Sequence, residues 1–280
     1  MSSCNESIDF AEEKTQETKQ NGGMAIITLT SDWGQSGYYV AAVKGTILSY
    51  LPDAVIVDVT HNIDPWNIWN AAFTIKNCYK CFPEGTIHII AVESEEFPEK
   101  PHIVLKANGH YFIGADNDIF SLILDDDPYE AVIIDVIQDT DFFTFSTRDR
   151  FVKVAVMLAK GASLSEIGGK YPAIRKCLTL QPTIDANSIN GHVLFIDTYE
   201  NAITNISMEL FEKMRKGRSF VIKFGKYQID KICKSYTDVA IPGLLAIFGT
   251  HGFLEIAVNH GKAASLLGLS RDTPVYISFQ

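Results

Sequence analysis

The chain has 280 residues, 46% of them hydrophobic, and a formal charge of −10. That length buries one large core or two smaller ones, and the acidic balance argues against nucleic acid, whose phosphates are neutralised chiefly by Lys and Arg. No run approaches the roughly 18 to 20 apolar residues of a membrane helix, and residues 1–23 lack the basic start and apolar centre of a secretion signal. The expectation is a cytoplasmic protein with neither a membrane nor a nucleic-acid partner.

Residues 1–23 are rich in Glu, Lys and Asn, which predicts a disordered leader and leaves Met24 as an alternative start. An apolar run at 26–30 then predicts a strand that stops on Ser31-Asp32-Trp33-Gly34. Ligands of open α/β sheets bind at the carboxyl ends of strands, so Asp32 either meets a ligand or caps the next helix. Helix-like spacing at 38–51 ends at Pro52; a strand at 54–59, a helix at 68–81 and a strand at 86–92 come next. This β-α-β-α-β series predicts an N-terminal α/β domain over 24–172 with a mainly parallel sheet.

Runs at 103–106 and 111–114 flank Asn108-Gly109, a hairpin signal. A short helix is predicted at 119–124, a strand at 131–136, and a helix at 150–160 ended by Gly161. Pro172, Pro182 and the polar stretch 185–190 mark a linker over 173–190. Beyond it, short β-like runs at 192–197, 219–224, 226–233, 244–249, 254–258 and 275–279 predict a smaller all-β, barrel-like domain over 191–280.

Five scattered cysteines fit reduced thiols better than a disulfide framework. Cys78 and Cys81 have CxxC spacing, but they fall late in a predicted helix, away from the N-terminus that would lower a thiol pKa. A zinc site would need a second pair, and the seven histidines suggest no metal constellation. Neither G-x-G-x-x-G nor G-x-x-x-x-G-K-[ST] occurs, so dinucleotide and P-loop sites are unsupported and no cofactor is expected.

An ordered set of motifs carries a resemblance. It comprises Thr30-Ser31-Asp32-Trp33-Gly34, Val57-Asp58-Val59-Thr60-His61, Ile63-Asp64-Pro65-Trp66, Phe82-Pro83-Glu84-Gly85-Thr86, Gly114-Ala115-Asp116-Asn117 and Leu254-Glu255-Ile256-Ala257-Val258-Asn259. Together they resemble the S-adenosylmethionine hydroxide adenosyltransferase family, related to the fluorinases and chlorinases. The resemblance implies an α/β domain, a C-terminal β-barrel and a homotrimer that binds S-adenosylmethionine between one subunit's N-domain and its neighbour's C-domain.

It also implies residue roles. Asp32 would accept hydrogen bonds from both ribose hydroxyls. Trp66 would line the ribose and sulfonium, the alternative being a loop aromatic that packs on the core. Asp197 would bind the methionine ammonium, although a strand-end Asp also forms turns. Tyr199 would pack on adenine with Asn201 nearby, Thr250 would contact the methionine carboxylate, and the backbone at Val258 and Asn259 would read the adenine edge. Asp116 and Asn117 match a pair near the pocket, with Asp118 where a glycine is usual.

Where hydrolase members carry Asp, Arg and His to hold water, this chain has Glu93, Lys100 and Ser146. Thr147 occupies a halide-contacting slot of the halogenases; equally, Ser146 and Thr147 could cap the helix near Arg150. The leading expectation is hydrolysis of S-adenosylmethionine to adenosine and L-methionine by water attack at ribose C5′. The rivals are a catalytically impaired binding protein, suggested by Ser146, and a halogenase, suggested by Trp66 and Thr147.

Overall fold

The computed structural model describes residues 24–280 apart from 139 and 141. The leader expected at 1–23 lies outside the described residues. In chain order the first half contains β1 Ile26–Ser31, α1 Tyr39–Tyr50, β2 Val55–Thr60, α2 Ile68–Lys76, β3 Ile87–Ala91, β4 His102–Ala107, β5 His110–Ala115, α3 Ile119–Leu124, β6 Tyr129–Ile133, α4 Val152–Ala159 and α5 Leu164–Ile167.

Its six strands form one sheet in the order β2-β1-β3-β5-β4-β6. β1 lies parallel to β2 and β3, and β3 parallel to β5, whereas β4 runs antiparallel to both β5 and β6. The sheet is therefore mixed, which corrects the mainly parallel expectation. Asn108 and Gly109 both take positive φ (50° and 79°), as a tight hairpin turn requires, so β5 folds directly back along β4. Helices cover both faces. Val43 and Ile47 of α1 pack with α4 on Ile27, Leu29, Ile87 and Ile89, while α2 and α3 pack on Ile90, Ile103, Leu105 and Phe112. Burial on both faces explains why β1 and β3 read as unbroken apolar runs.

Two helices differ from expectation. α2 stops at Lys76 because the Asn77 side chain donates to the Phe73 carbonyl at 2.8 Å, and a 3-10 turn at Tyr79–Cys81 comes next. Cys78 and Cys81 thus lie beyond the helix, and burial, then the neighbouring Cys81, pushes the Cys78 thiol up to about 11, the reverse of redox activation. Ahead of α4 the chain makes one π turn, Thr147–Phe151.

The second half contains β7 Thr183–Asp185, β8 Ser188–Ile196, β9 Ala202–Ser207, α6 Met208–Arg215, β10 Phe220–Phe224, β11 Tyr227–Ile229, β12 Ile232–Cys233, β13 Leu244–Phe248, β14 Phe253–Val258, α7 Ala263–Leu267 and β15 Pro274–Phe279. Its sheet runs β11-β10-β15-β8-β9-β14-β13-β12, with β7 added on β8. One cluster draws Ile189, Ile206, Ile222, Ala246, Ile256 and Ile277 from six of these strands around Phe211 of α6. A sheet that feeds a single core from one face along most of its width must curl. Strand pairing already begins at Thr183, inside the stretch expected as linker. The run expected as one strand at 226–233 splits: β11 pairs with β10, and β12 pairs with β13 at the far end of the sheet.

The halves touch where Phe73 stacks on Phe195, with centroids 4.5 Å apart, and where the Arg271 guanidinium lies 4.5 Å over Trp69. Among the described residues no helix is long and apolar enough to cross a membrane, and no group of three or more His, Cys, Asp or Glu side chains is arranged to hold a metal ion.

Candidate functional site

The parallel neighbours β1 and β3 end side by side, Ser31 opposite Ala91, and the loops leaving the two strands converge. Asp32 Oδ2 accepts the backbone N–H of Trp66 at 3.0 Å and, at 3.5 Å, that of Glu93. Among the described residues Oδ1 has no hydrogen-bond partner. The helix-capping alternative for Asp32 is not realised, since α1 begins after Tyr38 without a side-chain cap. Trp66 stands in the left-handed region at φ 62° with its side chain 69% exposed. It does not pack on the core.

Glu93 is also left-handed, at φ 46°, and its Oε1 lies 2.5 Å from Lys100 Nζ. Backbone bonds between Phe97 and Lys100 in both directions, 3.3 and 2.9 Å, fold the intervening loop and deliver Lys100 back to Glu93. Asp32, Trp66, Glu93 and Lys100 are thereby joined into one polar edge. The 144–149 segment approaches the same edge, because Phe145 packs edge-on to Trp33 at 5.5 Å. Ser146 is half-buried and Thr147 fully buried; Ser146 makes no capping hydrogen bond, so the capping alternative fails there too. π turns of this kind occur frequently at functional sites.

Asp116 and Asn117 sit behind this edge rather than in it. Asp116 is wholly buried; its Oδ2 accepts the Tyr171 hydroxyl at 3.0 Å and the Arg175 N–H at 2.9 Å, and burial holds its carboxyl above the usual range. Asn117 Nδ2 donates to the carbonyls of Val92 and Glu93, both at 3.0 Å. Asp118 has φ 78°, a conformation that glycine adopts without strain.

Four strand ends in the second half gather another set. Ile196 pairs with Ala202, Ala202 with Ile256, and Val258 with Leu244, so Asp197, Tyr199, Asn201, Val258 and Asn259 share one end of the sheet. Asp197 accepts the backbone N–H of Asn201 at 2.7 Å and its side-chain amide at 3.0 Å, closing the β8–β9 turn. Tyr199 projects from that turn, 76% exposed. Asn259 donates its backbone N–H to the Gly243 carbonyl at 2.9 Å and its side-chain amide to the Val239 carbonyl at 2.8 Å. Thr250 lies in the β13–β14 turn, at the opposite end of a six-residue strand, about 17 Å away.

Among the described residues no hydrogen bond joins the Asp32 edge to the Asp197 turn.

Family-model comparison then matches residues 27–168 to the SAM hydroxide adenosyltransferase N-terminal domain and 191–276 to the corresponding C-terminal domain. The chain belongs to the SAM hydroxide adenosyltransferase family. Its Asp32 edge falls in the N-terminal family domain and its Asp197 turn in the C-terminal one. A relative from Methanocaldococcus jannaschii named (R)-S-adenosyl-L-methionine hydrolase is 28% identical, over 87% of this chain and 92% of its own length. A protein of Nocardia brasiliensis named fluorinase is 25% identical over 89% and 94%. The crystal structure of an uncharacterised conserved protein from Thermotoga maritima superposes with a TM-score of 0.82 at 28% identity, covering 90% of this chain and 99% of that one.

Two features of this family member escaped the sequence reading. Glu255, buried in β14, accepts the Tyr236 hydroxyl at 2.6 Å and has His251 Nε2 3.4 Å away; a lone carboxylate inside the apolar run 253–258 was the available signal. Ser31 and His61 form a buried pair at 2.7 Å, with no local signal. A cavity of about 530 Å³ between the two halves, lined by Trp69, Phe73, Lys76, Asp125, His251 and Phe253 among others, contains none of the expected site residues.

Proposed function

We propose that the protein hydrolyses S-adenosyl-L-methionine to adenosine and L-methionine, with water attacking ribose C5′. The observation that carries this reading is the joined edge in which Asp32 Oδ2 is anchored by Trp66 and Glu93 while Glu93 meets Lys100 at 2.5 Å. Anchoring one carboxylate oxygen leaves the other for the ribose hydroxyls. The exposed Trp66 ring offers a π face to the sulfonium. The family relatives named as hydrolases support the same reaction.

Sulfonium departs as a neutral thioether, so no general acid is needed and the barrier falls mainly through alignment of water and exclusion of other solvent. Glu93 orients the water and takes its proton as the C–O bond forms, while Lys100 fixes the direction of that carboxylate. The Ser146 hydroxyl would replace the imidazole that the family resemblance implies at that position, with Thr147 beside it offering a second hydrogen bond to the water, so this altered set would work without a histidine. No cofactor enters the reaction.

The second half-site is supplied by a neighbouring copy. Asp197, Tyr199, Asn201 and the backbone at Val258 would receive methionine and adenine, and the exposure of both Trp66 and Tyr199 suits rings that meet across a subunit boundary in a homotrimer. Thr250, at the opposite end of β14, is left out of this set. The Asp116 carboxylate and the Asn117 amide act behind the site, on the backbone.

Incubation of the purified protein with S-adenosylmethionine, followed by chromatography, is expected to yield adenosine and methionine in equal amounts. Unchanged substrate at high enzyme concentration would overturn the reading. A 5′-halo-5′-deoxyadenosine formed only with added chloride or fluoride would instead favour the halogenase reading, toward which the fluorinase relatives point.

A further inference from the structure

We infer that His61 is a positioning residue for the ribose-binding carboxylate of Asp32, acting through Ser31. This rests on the proposed role of Asp32, and a comparison of two nucleosides separates the two.

Regular pairing slips just before the site: Leu29 pairs with Asp58 but Thr30 with Thr60, skipping one residue of β2. From there on the β2 side of β1 is met by His61, while the other side stays paired with β3. The ring, 2% exposed, places Nδ1 2.7 Å from Ser31 Oγ. The His61 carbonyl accepts the Gly34 N–H at 2.7 Å. One residue therefore grips the chain on both sides of Asp32, at the position before it and two positions after.

The ring itself is held from behind. Nε2 lies 3.1 Å from Asp58 Oδ1, close to the carboxylate but off the ideal hydrogen-bond direction, and Asp58 Oδ2 lies 2.5 Å from Lys44 Nζ on α1. With Nε2 protonated toward Asp58, the bare Nδ1 accepts the Ser31 hydroxyl proton. Ser31, His61 and Asp58 thus have the connectivity of a hydrolytic triad. Ser31 is buried, however, with its oxygen turned onto the imidazole, so no substrate reaches it as a nucleophile. The chain of contacts instead immobilises the residue next to Asp32, and misplacement of a binding group by about 1 Å can cost on the order of a hundredfold.

The test is selectivity for ribose hydroxyls, measured calorimetrically with adenosine and 2′,3′-dideoxyadenosine. A general loss of folded protein weakens both ligands alike and leaves their ratio unchanged. Wild type is expected to prefer adenosine by about tenfold or more, because two hydrogen bonds to a charged acceptor are absent in the analogue. Ser31→Ala and His61→Phe are expected to reduce that preference to about threefold or less while retaining a cooperative thermal transition. Folded variants that keep the full preference would overturn the positioning role and leave the Asp32 reading intact. A wild type that shows no preference, or no binding of adenosine, would overturn the Asp32 reading and this inference with it. If both variants fail to fold, Lys44→Met at the partly exposed end of the chain of contacts carries the same test: a reduced ratio supports the inference, and an unchanged one overturns it.

Discussion

Asn117 donates its side-chain amide to the carbonyl oxygen of Glu93 at 3.0 Å, and the same nitrogen reaches the Val92 carbonyl at an equal distance. These bonds hold the left-handed turn at Glu93, a backbone state costly for a residue with a side chain. Replacement by Ala removes both bonds. Turnover is expected to fall by about tenfold or more while KM for S-adenosylmethionine changes less, since Glu93 is displaced whereas Asp32 loses only its 3.5 Å contact with the Glu93 N–H and keeps the 3.0 Å bond from Trp66. Stability should fall by about 1 to 3 kcal/mol. Steady-state kinetics beside a denaturant titration check both; a KM effect alone would contradict this division of roles.

Removing the charge of Glu93 tests the base directly. Glu93→Gln keeps the shape and is expected to lower kcat by about 10² to 10⁴, with adenosine binding retained. Lys100→Met leaves Glu93 without its 2.5 Å partner and should cost about tenfold in kcat through loss of orientation. Wild-type turnover in Glu93→Gln would remove this residue from the mechanism.

A site shared between copies predicts complementation. Glu93→Gln disables the first half-site and Asp197→Ala the second, so each protein alone is inactive. When subunits mix at random in a symmetric assembly, about a quarter of the sites pair two intact halves. Recovery of that fraction in the mixture checks the arrangement, and sedimentation of the wild type gives the subunit number. Two variants that remain inactive after subunit exchange would place both halves within one chain.

Stability should depend on pH through a pair of buried histidines remote from the site. His88 Nδ1 lies 2.7 Å from Thr28 Oγ1, and His88 Nε2 lies 3.2 Å from His110 Nδ1. Burial, and then the neighbouring His110, lowers His88 to about 3; burial lowers His110 as well. The unfolded chain takes up these protons first, near pH 6.5. The contribution is therefore fully present above about pH 6.5 and is lost as pH falls toward 3, on the order of 5 kcal/mol for His88 at full extent. His88→Phe, packed beside Phe112, is expected to flatten the decline in urea midpoint between pH 6.5 and 3. An unchanged slope would show that other groups govern it.

Much of this protein is readable locally. The runs at 26–30, 54–59 and 86–92, the Asn108-Gly109 turn and the carboxylate just after β1 all stem from hydrophobic period and turn chemistry within a few residues. Recognition of Glu93 and Lys100 as a pair came from motif order, and they do meet. Less legible were β9 and α6, whose polar Thr204 and Asn205 and amphipathic Met208–Arg215 stretch form no apolar run.

By itself the sequence determined an α/β half followed by a β half, the family, and a carboxylate at the end of the first strand. Only the tertiary structure decided that β4 runs antiparallel within the first sheet, that Asn117 serves the backbone of Glu93, that Thr250 lies a strand's length from Val258, and that His61 brackets Asp32. The reason is range. Propensity and periodicity act over a few neighbouring residues, whereas contacts such as Asn117 with Glu93 or His61 with Ser31 join residues 24 and 30 positions apart and exist only once the sheet has set which strand ends lie together.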